Sequence, residues 1–190
     1  MRLDVGCTDP SCPNAADTEL TDASGSVTLH VPTAQGNVNN SLGTTGYFKT
    51  TAPGYAPAFS FLGQPLSEGT LTASPGDSPY MLTLSQFGDP TVGSVYALVG
   101  DCFTAAAPGV KVTTDNPNLG DANYYIGGPN EKGMPGEQST DSSGVAVFSN
   151  VPEGPLTLTA TPVALGHPSS TMSIYVHAGA TTEVGLAPTP

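Results

Sequence analysis

Apolar residues in this chain recur at every second position, in short runs. Leu3 and Val5 alternate with polar neighbours, as do Val27, Leu29 and Val31. The same spacing returns at Phe59 and Phe61, at Val95, Ala97 and Val99, and at Met172, Ile174 and Val176. A period of two is that of a half-buried strand. Strands are therefore predicted over residues 2–6, 26–31, 46–51, 58–62, 80–84, 93–99, 109–113, 155–161, 171–176 and 181–186. No run holds a helical period long enough for an amphipathic helix. Gly, Pro, Asn and Asp punctuate the runs, as at Asp22-Ala23-Ser24-Gly25 and Ala52-Pro53-Gly54-Tyr55. Residues 33–45 and 114–136 read as long polar loops.

One phrase occurs twice. Residues 21–32 read TDASGSVTLHVP and residues 140–152 read TDSSGVAVFSNVP. The separation is on the order of a hundred residues, a domain length rather than a solenoid period. The chain is thus expected to carry one β module twice: residues 1–84, a linker at 85–92, and residues 93–190. In each copy Asp offers a turn acceptor and Gly a positive φ, so the phrase reads as a hairpin turn. Aligned on it, residues 3–6 match residues 110–113. The second module has a further strand before that, at 95–99, and the first has no counterpart. Either that strand precedes this chain in a longer protein, or a partner chain supplies it at an open sheet edge.

Composition narrows the class. Gly 23 and Pro 19 make up roughly a fifth of the 190 residues, while charged residues are 11% and hydrophobic residues 37%. Disorder calls for more charge and less hydrophobicity; a turn-rich all-β protein fits. The net charge is −12, with Arg2, Lys49, Lys111 and Lys132 as the only cations. Four scattered cations do not neutralise a run of phosphates, which excludes a nucleic-acid partner. The acidity serves solubility. No apolar stretch is long enough to span a membrane, and residues 1–10 have no signal-peptide core. Few lysines and much Thr, Gly and Pro suit an exported protein, with its signal or anchor expected upstream of this sequence.

With the repeat in view, the residues resemble a known family. Thr-Asp-x-x-Gly before an alternating strand is similar to the carboxypeptidase-regulatory-like, transthyretin-like β-sandwich modules of exported bacterial proteins. Thr21, Asp22 and Gly25, then Tyr47 and Ala52-Pro53-Gly54-Tyr55, match in the first module. Thr140, Asp141, Gly144 and Val151-Pro152 match in the second, which lacks the Ala-Pro-Gly-Tyr element. The resemblance implies two tandem immunoglobulin-like or transthyretin-like sandwiches, the first without its first strand, in accessory or surface-display roles. It carries over no catalytic residue.

Few residues suggest chemistry. Asp115, Asn116, Asn118, Asp121 and Asn123 crowd one loop, and such oxygen donors suit calcium; they equally build turns. The expected calcium set is Asp115, Asn118 and Asp121, with no other cofactor. Tyr124 and Tyr125 follow, as a sugar-stacking or partner-anchoring pair or as a cover for the sandwich end. Cys7 and Cys12 flank a tight Thr-Asp-Pro-Ser turn and either form a disulfide in an oxidising compartment, stay as thiols, or hold a metal. Cys102, among apolar neighbours, is expected to be buried. His30, His167 and His177 have no His or Cys at ligand spacing and read as exposed. No Gly-x-Ser-x-Gly elbow occurs, so no catalytic residue is assigned. The expected function is a non-catalytic extracellular or cell-surface structural, adhesion or assembly module with a protein partner or self-assembly. The alternative is a glycan-binding accessory domain of a secreted enzyme.

Overall fold

The computed structural model describes residues 2–7, 17–24, 26–31, 47–61, 69–73, 88–103, 105–119, 124–127, 132–134 and 138–187. Every element among them is a β-strand, as the period of two requires. No helix among the described residues is long and apolar enough to cross a membrane. The chain divides into two compact units, Met1–Gly88 and Asp89–Pro190.

The first unit contains β1 (Arg2–Cys7), β2 (Asp17–Leu20), β3 (Val27–Val31), β4 (Tyr47–Thr51), β5 (Ala58–Phe61) and β6 (Gly69–Ala73). One sheet runs β5-β4-β1-β2, and β3 pairs with β6 in a separate antiparallel ladder. Val27 and Leu29 are buried while Thr28 between them is exposed, so β3 has one apolar face. Tyr47 lies opposite Phe61 in the β4–β5 register and meets Phe59 edge-on at 5.3 Å between centroids. The Ala52-Pro53-Gly54-Tyr55 segment joins β4 to β5 as a turn, closed by Tyr55 N–H donating to the Ala52 carbonyl at 3.2 Å. The strand β6 was not anticipated, because its sequence GTLTA holds a single large apolar residue. The strand expected at 80–84 lies outside the described residues.

The second unit contains β7 (Gly93–Val99), β8 (Val110–Thr114), β9 (Tyr124–Gly127), β10 (Lys132–Met134), β11 (Val145–Val151), β12 (Gly154–Pro162), β13 (Ser170–Val176) and β14 (Thr181–Leu186). Its two sheets run β10-β9-β11-β7-β14 and β13-β12-β8. Val95, Ala97 and Val99 of β7, Phe148 of β11 and Val184 and Leu186 of β14 are buried. So are Val112 of β8, Leu156, Leu158 and Ala160 of β12 and Ile174 and Val176 of β13. These alternating sets form the layer between two sheets that a β-sandwich needs. Tyr96, Val145 and Val147, on the opposite face of β7 and β11, are buried as well and pack with Leu98. Both strands are therefore covered on two faces, which makes them nearly continuous apolar runs. The excursion expected as loop at 114–136 contains a hairpin instead: β9 and β10 pair antiparallel, and β9 also pairs with β11.

The second copy of the repeated phrase is one residue longer than the first, and the fold shows where the residue goes. Along β11, Phe148 lies opposite Val95 but Val151 lies opposite Gly93, a one-residue register shift. Asn150 sits in the shift with φ 58°, the left-handed conformation that Asn tolerates. The extra residue is a β-bulge.

The two units share a strand plan. Strands β1, β4 and β5 are ordered and directed like β8, β12 and β13, and β3 and β6 take the parts of β11 and β14. Among the described residues, one difference between the units lies beside β3. In the second, β7 stands between β11 and β14, antiparallel to one and parallel to the other. In the first, β3 and β6 pair directly through five residues, Val27↔Ala73 to Val31↔Gly69.

Candidate functional site

The repeated phrase is a corner, not a hairpin. Strands β2 and β3, on either side of the first copy, belong to different sheets. Asp22 Oδ1 accepts the N–H of Ser24 at 2.8 Å and of Ser26 at 3.0 Å, and Asp22 N–H donates to the Ser26 carbonyl. In the second copy Asp141 Oδ1 accepts the Ser143 N–H at 2.8 Å. Thr140 is 3% exposed and fastens that corner to the opposite sheet. Its hydroxyl donates to the Ala107 carbonyl at 2.6 Å and accepts the Val110 N–H at 3.0 Å. The first pattern recurs at Asp101, whose Oδ1 accepts the N–H groups of Phe103 and Ala105, and whose N–H donates to the Ala105 carbonyl. Sequence reading missed that turn because Asp-Cys-Phe-Thr-Ala lacks the Gly of the motif.

The described part of the Asp/Asn loop, residues 115–119, is likewise knitted into the fold. Asp115 and Asn118 are exposed; Asp121 lies outside the described residues. Asp115 Oδ1 accepts the Thr157 N–H at 2.9 Å, and Asp115 N–H donates to the Thr157 carbonyl at 3.1 Å, extending the β8–β12 ladder. Asn118 contributes its backbone N–H, donated to Asn116 Oδ1 at 3.0 Å. Among the described residues no group of three or more His, Cys, Asp or Glu gathers at metal-binding distance.

The Asp115 carboxyl is held below its ordinary pKa, first by the Thr157 N–H and then by the Thr157 hydroxyl. Asp89 is lowered too, first by the Thr91 hydroxyl and then by its N–H. A depressed folded pKa adds stability that is fully present above the unfolded value, about 3.9, and is lost as pH falls through the folded value. The contribution of these two carboxyls to stability should therefore stay level from neutral pH to about 4 and decline below it. Asp115→Asn, which keeps an acceptor but cannot titrate, should flatten part of that decline. Chemical denaturation at a series of acid pH values checks both.

Tyr125 corrects the ligand-facing expectation. It is 2% exposed, and its hydroxyl accepts the Val112 N–H at 3.2 Å across the sandwich. The β9–β11 register explains this: Tyr125 lies opposite Ala146 on the core side, and Tyr124 lies opposite Val147. A buried tyrosine cannot stack on a sugar, so the glycan-binding reading keeps only Tyr124. Tyr125→Phe should cost about 1–3 kcal/mol, because it leaves the buried Val112 N–H without this acceptor. Equilibrium urea unfolding measures it.

Cys102 also departs from expectation: it is exposed, because the Asp101 turn swings its loop off the core. Phe103 beside it is 83% exposed. Val163 and Leu165, on the β12–β13 connection at the same end of the unit, are 62% and 61% exposed. A mainly apolar cavity of about 350 Å³ opens between Leu98, Val99, Gly100, Ala106, Leu186 and Ala187 at that end. His167 is exposed as expected. His177 is not: its side chain is 15% exposed, 3.8 Å from Glu153, with its ring against Tyr175. It follows the last residue of β13, where the chain turns toward β14. The side chain of His30 and the whole of Cys12 lie outside the described residues, so the Cys7–Cys12 pair does too.

These features define a two-unit β-sandwich protein in which Asp22, Asp89, Asp101, Asp115 and Asp141 serve turns and a ladder end. No protein-family model matches the chain, and no curated protein matches it. Among solved structures it is similar to the Bacillus anthracis TIE protein, at 16% identity and a TM-score of 0.34, over 75% of this chain and 25% of that one. It is also similar to GBS52, the minor pilin of the Gram-positive pathogen Streptococcus agalactiae, at 12% identity and a TM-score of 0.34. That match covers 77% of this chain and 61% of the pilin. The chain thus spans less than two thirds of either relative.

Proposed function

We propose that this chain is a non-catalytic structural and assembly module of the bacterial cell surface or extracellular space, and that its partners are proteins. The supporting observation is the use to which its aspartates are put. Asp22, Asp89, Asp101, Asp115 and Asp141 each accept backbone N–H groups in turns or at a ladder end. Acids fixed this way shape and solubilise a β-sandwich without converging on a reacting atom. The exposed Phe103, Val163 and Leu165 give one end of the second unit an apolar character suited to a protein contact. The family resemblance of the repeated phrase points the same way, toward surface display.

The test is labelling of intact cells with an antibody raised against the purified chain. Labelling without permeabilisation is expected. Signal that appears only after the envelope is opened would refute the location and with it the role.

A further inference from the structure

We infer that the first unit is an acceptor for an added β-strand, and that the occupant is an amphipathic extended segment of another polypeptide inserting between β3 and β6. The inference rests on the assembly reading above and names the kind of partner that reading calls for.

The second unit supplies the precedent. There β7 fills the place between β11 and β14, pairing Phe148↔Val95 on one side and Val184↔Ala97 on the other. The first unit has the flanking strands in the same mutual sense: β3 and β6 are antiparallel, as β11 and β14 are through β7. Leu29, placed like Phe148 in the repeated phrase, is 0% exposed, so the apolar face that a β7-like strand would extend already exists. A strand entering this place exchanges one five-residue ladder for two, and its main-chain hydrogen bonds supply the affinity.

The pattern of the occupant follows from β3. In β11 both faces are buried, and Val147 is 0% exposed. The matching residue of β3 is Thr28, which is exposed. The inserted strand must therefore be apolar at every second position, like Val95, Ala97 and Val99. Its other positions must be polar, unlike Tyr96 and Leu98. It runs antiparallel to β3 and parallel to β6. The net charge of −12 favours a segment flanked by Lys or Arg and speeds its encounter.

The probe is a synthetic peptide, Lys-Lys-Gly-Ser-Val-Thr-Ala-Thr-Val-Lys, offered to the whole 190-residue chain, with a scrambled peptide of equal composition as control. Saturable one-to-one binding is expected. At a free peptide concentration ten times its Kd, amide hydrogen exchange in β3 and β6 should slow by about tenfold while β8, β12 and β13 are unchanged. Thr28 lies opposite Thr72 in the β3–β6 register. The double variant Thr28→Cys, Thr72→Cys, with Cys102→Ser, should refuse the peptide when its disulfide closes and accept it again on reduction. No binding up to about 1 mM peptide overturns the proposal. So does equal binding of the scrambled peptide, binding by the oxidised variant, or protection that falls on strands other than β3 and β6. Should the variant not fold, the exchange map on the parent chain still decides. Surface labelling of cells is independent of peptide binding, so failure here and failure of the proposed function remain separate results.

Discussion

Phe148→Ala should destabilise the second unit by about 3–5 kcal/mol, the range for truncating a fully buried aromatic. Phe148 is 0% exposed and stands first in size among the fully buried side chains of the described residues. It projects from β11 beside Val95 into the layer between the sheets, where Leu156, Leu158 and Ala160 of β12 are also buried. Removing the ring deletes its burial and leaves a cavity, since strands pinned by ladders on both sides collapse only partly. The contrast is Phe103→Ser in the exposed loop, where 83% of the residue is already in water. That change should stay within about 0.5 kcal/mol. Urea unfolding of both variants gives the comparison. A loss at position 148 no larger than that at 103 would mean that the layer described here is not the core.

Much of this fold was legible in the period of two. Val95, Ala97 and Val99, or Ile174 and Val176, declare a strand and its buried face together, because successive side chains point to opposite sides. What the period conceals is a second covered face. Tyr96 reads as an outward position but is buried, since burial there depends on what packs over the sheet rather than on the strand itself. The repeated phrase was legible as a turn, yet not as a corner between sheets. Its Asp makes similar bonds in either setting; the N–H that Val110 of β8 donates to the Thr140 hydroxyl decides, and Val110 is far away in sequence. The ligand-facing reading of Tyr125 fails for a similar reason. Neighbouring Asp, Asn and Gly make the segment look like surface, while strand register turns one of two adjacent tyrosines inward. Asp115 reads as a cation ligand from sequence because a ladder acceptor and a calcium ligand are the same carboxylate; only the position of Thr157 reveals the first use. Cys102 shows the opposite error, a small apolar-flanked residue carried outward by the turn that Asp101 closes.

Gly144→Ala should cost about 2–4 kcal/mol, and the figure divides into two parts that can be measured separately. Gly144 closes the Thr-Asp-Ser-Ser-Gly corner with φ 68°, a left-handed conformation that costs a residue with a Cβ about 1–2 kcal/mol. The second part is contact. A Cβ built there would stand 2.6 Å from the Val99 carbonyl oxygen and 3.1 Å from the Ala106 Cβ. Neither neighbour is the free end of a flexible side chain. The Val99 N–H donates to the Gly144 carbonyl at 2.7 Å, so moving the corner away also strains the junction with β7. Gly109 isolates the first part: its φ is 73°, but nothing lies within 4 Å of an added Cβ. Gly109→Ala should therefore show the conformational cost alone, about 1–2 kcal/mol. The excess at Gly144 measures how tightly the corner is pressed against the end of β7. Equal losses in the two variants, read by urea unfolding, would refute the close approach. A larger loss at 144 would establish that the glycine of the phrase is fixed by crowding as well as by backbone conformation.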